Sequence, residues 1–189
     1  MSEAQTVGDF DAGVRDQLTG VQLVLTEVMS LEWRQCELLA DFLSNYFAVF
    51  FPEEGSDSEF DRKDMTHSIG YMLNELVENA VKFRAKGDIE LAAGLVDDHF
   101  SFVVTNIAES PTIPPFVARL EELVSGDPGE LLVQKMEANF EAGNEKASGL
   151  GFLTLMSDYG ARLGWEMKPI DDGFTRVSTM GRLAAKKGN

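Results

Sequence analysis

The chain has 189 residues, and its 32 acidic residues outnumber its 16 basic ones to give a formal net charge of −16. A field of this sign repels nucleic-acid phosphates and anionic membrane surfaces, so both are excluded as expected partners, whereas a basic protein partner is favoured. Hydrophobic residues make up 44% of the sequence, which is typical of a packed globular protein rather than of a disordered chain.

The cysteine content and the N-terminal sequence indicate the compartment. Cys36 is the single cysteine, so no intramolecular disulfide can form, and its apolar helical surroundings predict a buried, unreactive thiol. Residues 1–13 are acidic and lack the apolar core of a signal peptide. The most apolar run, residues 46–52, is too short to span a bilayer. We therefore expect a soluble, cytoplasmic protein.

The N-terminal half predicts one strand followed by two long helices. Residues 1–19 are polar and predict a loose segment. Val21 to Val28 predicts a strand, and Trp33 to Phe50 predicts a helix because its apolar residues recur at spacings of three and four. An acidic loop from Glu53 to Asp64 precedes a second amphipathic helix from Asp64 to Ala85.

The C-terminal half predicts two hairpins separated by helices. The predicted strands are Ile89–Val96, Phe100–Ile107, Leu163–Pro169 and Thr175–Leu183, and the predicted helices are Phe116–Val124, Pro128–Phe140 and Phe152–Tyr159. This order indicates an α+β fold, a two-layer α/β sandwich with a mixed sheet. We expect one domain over residues 20–183 with a helical insert at about 112–145, and a frayed tail at 184–189.

A polar strip runs along the second helix beside its apolar stripe. Glu75, Asn79 and Lys82 are four and three residues apart, so they project from one side of the helix. An asparagine oxygen is a hard ligand of the kind that Mg²⁺ prefers, and a carboxylate one turn away can act as a general base. The alternative is a solvated polar face on a core helix.

The segment around this strip, Asn74 to Phe83, reads NELVENAVKF. It resembles the N-box of the GHKL superfamily, the fold shared by histidine kinases, Hsp90, gyrase B and anti-sigma-factor serine kinases. The resemblance implies a Bergerat-type ATP-binding fold with ATP and Mg²⁺ as cofactors. It also implies Asn79 as the Mg²⁺ ligand, Glu75 as the base and Lys82 near the phosphates.

A second motif, SGLGFL, begins at Ser148. It resembles the G2 box of the same superfamily, so Ser148, Gly149, Leu150 and Gly151 are expected to contact the nucleotide. Glycines let a backbone approach phosphate oxygens closely, and a helix start offers free N–H groups. The alternative is a simple turn before a helix. Nearby Lys146 is either a phosphate contact or a solvated lysine.

A third motif of the superfamily, the G1 box D-x-G-x-G, is altered. At its place the chain has Asn106-Ile107-Ala108-Glu109-Ser110. Asn106 replaces the aspartate that reads the adenine amino group and keeps a carbonyl acceptor for it, while Ala108 and Ser110 replace the glycines. The resemblance therefore assigns Asn106 and Ala108 to the nucleotide site. The alternative is that Asn106 merely ends a strand.

The insert and the two histidines complete the candidate residues. The apolar side chains of the insert could cover the site, receive a partner or form core. His67 favours a structural role at a helix start over a phosphoacceptor role, and His99 is expected in an exposed turn. No Cys/His/Asp cluster has the spacing of a metal site.

The resemblance covers nearly the whole chain and is greatest to single-domain anti-sigma-factor serine kinases and SiaB-like kinases. It implies an ATP- and Mg²⁺-dependent serine/threonine protein kinase that acts on a small regulatory partner in a bacterial signalling module, with a homodimer possible. The alternative is a pseudo-kinase scaffold that binds its partner without nucleotide turnover. Glu75 and Asn79 favour the enzyme, whereas the loss of the G1 aspartate favours the scaffold.

Overall fold

A computed structural model of the chain describes residues 3–18, 20–27, 33–51, 62–143, 150–171 and 173–185. The strands are β1 Gln5–Gly8, β2 Val21–Leu25, β3 Lys86–Val96, β4 His99–Glu109, β5 Arg162–Asp171 and β6 Phe174–Ala184. The α-helices are α1 Val14–Gln17, α2 Trp33–Ala48, α3 Arg62–Phe83, α4 Ile113–Ser125, α5 Pro128–Glu141 and α6 Gly151–Ser157. The predicted α+β class is confirmed, and each predicted element is present with its ends shifted by a few residues.

The six strands form one open sheet in the order β1-β5-β6-β4-β3-β2. Every strand pair is antiparallel, so the mixed sheet predicted from the sequence is wrong in this respect. The connections explain the difference. A single crossover helix would return the chain parallel to its starting strand, but α2 and α3 together bring β3 back antiparallel to β2.

The hairpin of β3 and β4 is closed by two residues with left-handed backbone conformations. Asp97 and Asp98 have φ of 48° and 60°. Positive φ at both central positions defines a type I′ turn, whose twist matches that of the flanking strands and for which aspartate is well suited. This turn fixes the register of the two longest central strands and places His99 at the start of β4.

The main core lies between the sheet and the helices. Its largest fully buried side chains include Trp165, Phe100 and Phe102 from the strands and Ile69 and Met72 from α3. Helix α3 comes very close to β6, because a Cβ on Gly181 would lie 2.6 Å from Sδ of Met72. This tight contact seats α3 on the centre of the sheet and directs its other side outward.

The N-terminal segment is ordered by contacts with the sheet, contrary to the loose segment predicted for residues 1–19. Strand β1 pairs with β5, and Val14 and Leu18 are buried against Ala92, Val103 and Met180 on the sheet face opposite the main core. The apolar residues of this segment are few and stand among polar residues and glycines, so its composition indicated a loose segment. At the other terminus β6 continues through Ala184, which pairs with His99.

None of the described helices combines the length and the apolar character needed to cross a membrane.

Candidate functional site

A cleft of about 960 Å³ opens between the outward side of α3 and helices α4, α5 and α6. Volumes of this size are typical of ligand sites. Glu75, Asn79 and Lys82 line it, together with Leu150 and Gly151. The remaining lining residues are Cys36, Tyr71, Glu78, Val81, Phe83, Phe116, Arg119, Leu120, Glu122, Leu123, Leu131, Gln134, Lys135, Phe152 and Leu153. The structure thus brings two of the sequence motifs together at one cleft.

Glu75 lies in a setting that favours its protonated form. Burial raises the pKa of its carboxyl group, and the neighbouring carboxylate of Glu78 raises the pKa further. A hydrogen bond donated by the Tyr71 hydroxyl lowers the pKa and offsets part of this effect. A carboxylate with a raised pKa is better matched to proton transfer near neutral pH than an ordinary surface glutamate is.

Gly151, the first residue of α6, is in direct contact with the Glu75 carboxylate. A Cβ atom placed on Gly151 would overlap Oε2 and Cδ of Glu75. Any residue other than glycine would therefore displace the carboxylate. The second glycine of the SGLGFL motif is required here by the close approach of helix α3.

Tyr71 connects Glu75 to helix α6. Its side chain interacts with the Glu75 carboxylate, which lowers the pKa of Glu75, and with the side chain of Thr154, which lowers the pKa of Tyr71. Its ring stacks on Tyr159 with 5.1 Å between centroids, and the Tyr159 hydroxyl is 3.0 Å from Nε2 of His67. These contacts link Tyr71 and the exposed His67 of α3 to Tyr159, and the structural role of His67 stays a prediction.

Asn79 is oriented by the turn of helix that precedes it. Its Nδ2 donates to the backbone oxygen of Glu75 at 2.6 Å. Because Nδ2 makes this bond, the carbonyl oxygen Oδ1 remains available as an acceptor on a residue that lines the cleft.

The donor set fits a metal that arrives with a nucleotide rather than a metal held by protein alone. Among the described residues, no group of three or more His, Cys, Asp or Glu could hold a metal ion. Mg²⁺ is commonly held by one or two protein oxygens, with phosphate oxygens and waters completing its shell. Asn79, with one carbonyl oxygen, fits that pattern.

Three basic side chains line the cleft of this strongly acidic protein. Lys82 comes from α3, Arg119 from α4 and Lys135 from α5. Arg119 and Lys135 were missed by the sequence analysis, which considered only the apolar side chains of the insert. Each is the single basic residue of its helix, and this sequence feature could have identified both as candidate phosphate contacts.

The apolar residues of the insert divide between the cleft and the surface. Phe116, Leu120 and Leu123 of α4 and Leu131 of α5 line the cleft, whereas Phe140 is exposed. The insert therefore forms part of the cleft wall, while Val117 and Leu120 also belong to the core, and its role as a cover of the site stays a prediction.

The altered G1 segment lies on β4 and not at the cleft surface. Asn106 and Ala108 are 5% and 4% exposed, pair with Val177 and Thr175 of β6, and are absent from the cleft lining. Ser110 Oγ lies 2.9 Å from Thr175 Oγ1, a hydrogen bond that ties the end of β4 to β6. The assignment of Asn106 and Ala108 to the nucleotide stays a prediction.

Two residues of the second motif, Ser148 and Gly149, and the nearby Lys146 lie outside the described residues. Cys36 is 1% exposed, and burial, followed by the charge of Glu78, raises the pKa of its thiol. The prediction of a buried thiol is confirmed, and the raised pKa keeps it protonated and unreactive.

Comparison with known proteins supports the fold. No protein-family model matches the chain, and no curated protein matches it. Among solved structures, the chain is similar to one in the crystal structure of the SiaB–SiaC complex from Pseudomonas aeruginosa. The TM-score is 0.63 at 15% identity, over 93% of this chain and 99% of that chain. At this identity the likeness shows a shared fold.

Proposed function

We propose that this chain is a signalling protein kinase that binds ATP with Mg²⁺ in the cleft and phosphorylates a serine or threonine of a small protein partner. The observation that carries the proposal is that Glu75, Asn79 and Lys82 line one cleft with Gly151, as the GHKL resemblance implies. The superfamily membership and the cofactors are part of this proposal.

Glu75 is the proposed general base. The hydroxyl oxygen of the partner attacks the γ-phosphorus in line, the bond from that phosphorus to the ADP oxygen breaks, and Glu75 accepts the hydroxyl proton. Tyr71 and Gly151 hold the carboxylate in place, since one donates to it and the other leaves room for it. This positioning keeps Glu75 on the cleft side of α3.

The phosphate end of the nucleotide is proposed to lie between α3 and the insert. Asn79 Oδ1 would ligate Mg²⁺, which when bound neutralises charge on the phosphate oxygens. Lys82, Arg119 and Lys135 would offset the remaining negative charge. Because Arg119 and Lys135 belong to α4 and α5, nucleotide binding would draw the insert towards α3.

A protein partner is supported by the fold comparison and by charge. The similar solved chain belongs to a structure of two proteins, the SiaB–SiaC complex. The net charge of −16 favours a partner whose docking surface is basic. We therefore propose a small basic-faced protein that presents its hydroxyl at the mouth of the cleft.

Thermal unfolding with and without Mg-ATP tests the binding step. A ligand at a hundred times its dissociation constant stabilises the native state by about 2.7 kcal/mol, which corresponds to a rise in Tm of roughly 5–10 °C for a chain of this size. Asn79→Ala should remove the rise. No rise for the wild type at millimolar Mg-ATP would contradict the proposal.

Asn45→Ala is a matched control for Asn79→Ala. Asn45 Nδ2 donates to the backbone oxygen of Asp41 one turn earlier at 2.7 Å, the same local bond that Asn79 makes to Glu75. The control therefore removes an equivalent helix contact away from the cleft and should keep the full Mg-ATP response.

A pseudo-kinase scaffold is the second candidate, and one observation favours it. The β4 segment at the G1 position is packed into the sheet with Asn106 and Ala108 buried, and neither residue lines the cleft. A scaffold would bind its partner equally well with and without Mg-ATP and would release no phosphate. The kinase would show nucleotide-dependent release or transfer that Glu75→Gln removes.

A further inference from the structure

Helix α2 has a second apolar face that points away from the core. Five large apolar side chains on or just after this helix are between 45% and 64% exposed: Leu38, Phe42, Tyr46, Val49 and Phe50. We call these five residues the outer face of α2. A contiguous apolar patch of several hundred Å² is at the upper end of what monomeric soluble proteins expose and is often functional.

The outer face is a true stripe and not a scatter of surface residues. Leu38, Phe42, Tyr46 and Val49 recur at spacings of four, four and three, so they lie on one side of the helix over about 16 Å. The opposite side is fully used by the core, where Leu43 is buried and Phe47 packs on Phe100. Helix α2 is thus apolar on two sides, one packed in the core and one facing solvent.

The aromatic residues of the outer face are already held in place. The Tyr46 ring is 5.1 Å from that of Phe47 and 6.0 Å from that of Phe50, both at steep interplanar angles. Since Phe47 is buried, the outer aromatics rest on the core and lose little conformational entropy when they are covered.

The charges of α2 lie in its first half. Arg34, Glu37 and Asp41 are its charged residues, and residues 42–51 carry none. Parallel packing of two such helices would set acid beside acid, which is unfavourable. Antiparallel packing about a twofold axis sets the charged half of one helix beside the uncharged half of the other. The outer face is therefore self-complementary in one orientation.

The area of the outer face suits a small dimer interface. Five side chains that each expose about half of a surface on the order of 200 Å² present about 500 Å² per copy. Two copies together approach the roughly 1,000 Å² that a specific interface needs. A second copy of this chain would therefore match the face in apolar area, and its residues 42–51 would bring no charge to it.

We propose that the outer face of α2 is a homodimer interface, in which the α2 helices of two copies pack antiparallel with Phe42 of each near Tyr46 of the other. Such an interface is isologous, so each residue contributes twice. Because each chain carries a net charge of −16, association works against long-range repulsion, and added salt tightens the dimer by screening it. An interface held by ion pairs would respond to salt in the opposite way.

Sedimentation equilibrium of the full chain, over a wide range of concentration and at low and high salt, tests this interface. The wild type should sediment at twice the chain mass of 20.8 kDa, with tighter association at high salt. Phe42→Glu should weaken the dimer at least about 100-fold, because a carboxylate is buried twice in the same interface. Val49→Glu, at the other end of the stripe, should do the same.

Phe140→Glu is the matched control, since Phe140 is 88% exposed on α5 and is not part of the outer face. It should leave the dimer intact. Circular dichroism of each variant identifies any that has unfolded, and two stripe variants keep the test valid if one fails to fold. A wild-type monomer under all conditions, or a dimer that survives both stripe variants, would overturn the proposal.

Discussion

The helix wall of the cleft and the end of β4 are predicted from the sequence to form two sides of one nucleotide site, yet their residues lie in different surroundings. Glu75, Asn79 and Lys82 line the cleft, and Glu75 has a raised pKa. Asn106 and Ala108 are buried in the strand and absent from the lining. The residues proposed to meet the phosphates line the cleft, whereas those proposed to meet the base are buried in the sheet.

This difference indicates where binding free energy would come from. Charges on α3, α4 and α5 can meet phosphate oxygens directly, and charge-assisted hydrogen bonds are about twice as strong as neutral ones. A packed strand end can contact the base through its surface shape but can discriminate little between adenine and guanine. We therefore expect nucleotide affinity to depend on Mg²⁺ and phosphates and to depend weakly on the base.

The largest expected effect is that of Glu75→Gln on phosphoryl transfer. Loss of a general base should slow γ-phosphate release or transfer about 10²–10⁴-fold. Glutamine can still accept the hydrogen bond from Tyr71, so Mg-ATP binding, measured by calorimetry, should be retained. If the variant lost both Mg-ATP binding and phosphoryl transfer, Glu75 would act in nucleotide recognition instead.

Acidity provides a second readout for Glu75. The pKa of Glu75 is higher in the folded state than in the unfolded state. Protonation of Glu75 therefore stabilises the folded state fully below about pH 4.3, the ordinary glutamate pKa, and this contribution is lost as the pH rises through the folded-state pKa. Glu75→Gln should therefore raise Tm at neutral pH and leave it unchanged in acid. The rate should rise with pH through the same raised pKa.

Glu78→Gln is the companion variant for that pH profile. Glu78 raises the pKa of Glu75 by its charge, so its neutralisation should move the rising limb of the rate towards lower pH while the plateau rate stays within about 10-fold. If the rising limb of the pH–rate profile did not move, a group other than Glu75 would be responsible for it.

Gly151→Ala should give the next largest effect. The added methyl group would overlap the Glu75 carboxylate, which is the end of a flexible side chain and can move aside without disturbing the backbone. A displacement of about 1 Å at a catalytic group can cost roughly 100-fold in rate. Stability should change little.

Gly70→Ala on α3 controls for the added methyl group. Its Cβ would meet Ser44 Oγ at 3.4 Å, an ordinary contact, so the variant should keep its rate and gain up to about 1 kcal/mol from helix propensity. If Gly151→Ala were equally active, the contact with Glu75 would have no role in catalysis.

Arg119→Ala and Lys135→Ala should each weaken Mg-ATP about 10-fold, in proportion to the loss of one charged hydrogen bond. Calorimetry with ATP and ADP resolves the effect, which should be smaller for the diphosphate. Lys168→Ala, an exposed cation on β5 outside the cleft lining, should leave both affinities unchanged. Equal losses of affinity for all three variants would indicate an effect of net charge rather than a direct contact with the phosphates.

Asn106→Ala should give the smallest change in binding. The loss of a buried polar residue should destabilise the fold by about 1–3 kcal/mol, while the affinities for Mg-ATP and Mg-GTP should each change less than about 3-fold. A large loss confined to ATP would show that Asn106 reads the adenine amino group, as the resemblance implies.

The sequence predicts most of the fold because the patterns that determine it are local. The apolar stripe of α3 and the Asp97–Asp98 turn each depend on neighbouring residues, and both are found where they were expected. Strand β1 was not predicted, because its pairing with β5 spans the whole chain and only Val7 is buried in it. The strand directions depend likewise on how helices cross the sheet.

In the candidate site too, the contacts within one helix were predictable from the sequence and the contacts between distant elements were not. Glu75 and Asn79 lie one turn apart on a single helix, so their spacing alone predicts that they share a surface. The contact between Gly151 and Glu75 joins residues far apart in sequence, and only the resemblance suggested their proximity. The positions of Arg119 and Lys135 depend on how α4 and α5 pack, which no local pattern specifies.

A crystal structure with Mg²⁺ and a non-hydrolysable ATP analogue tests the central proposal most directly. It should show the phosphates between α3 and the insert, with the metal about 2.0–2.1 Å from Oδ1 of Asn79. The γ-phosphate should face Glu75, and Arg119 and Lys135 should contact the phosphates. An empty cleft at saturating analogue, or a metal bound away from Asn79, would contradict it.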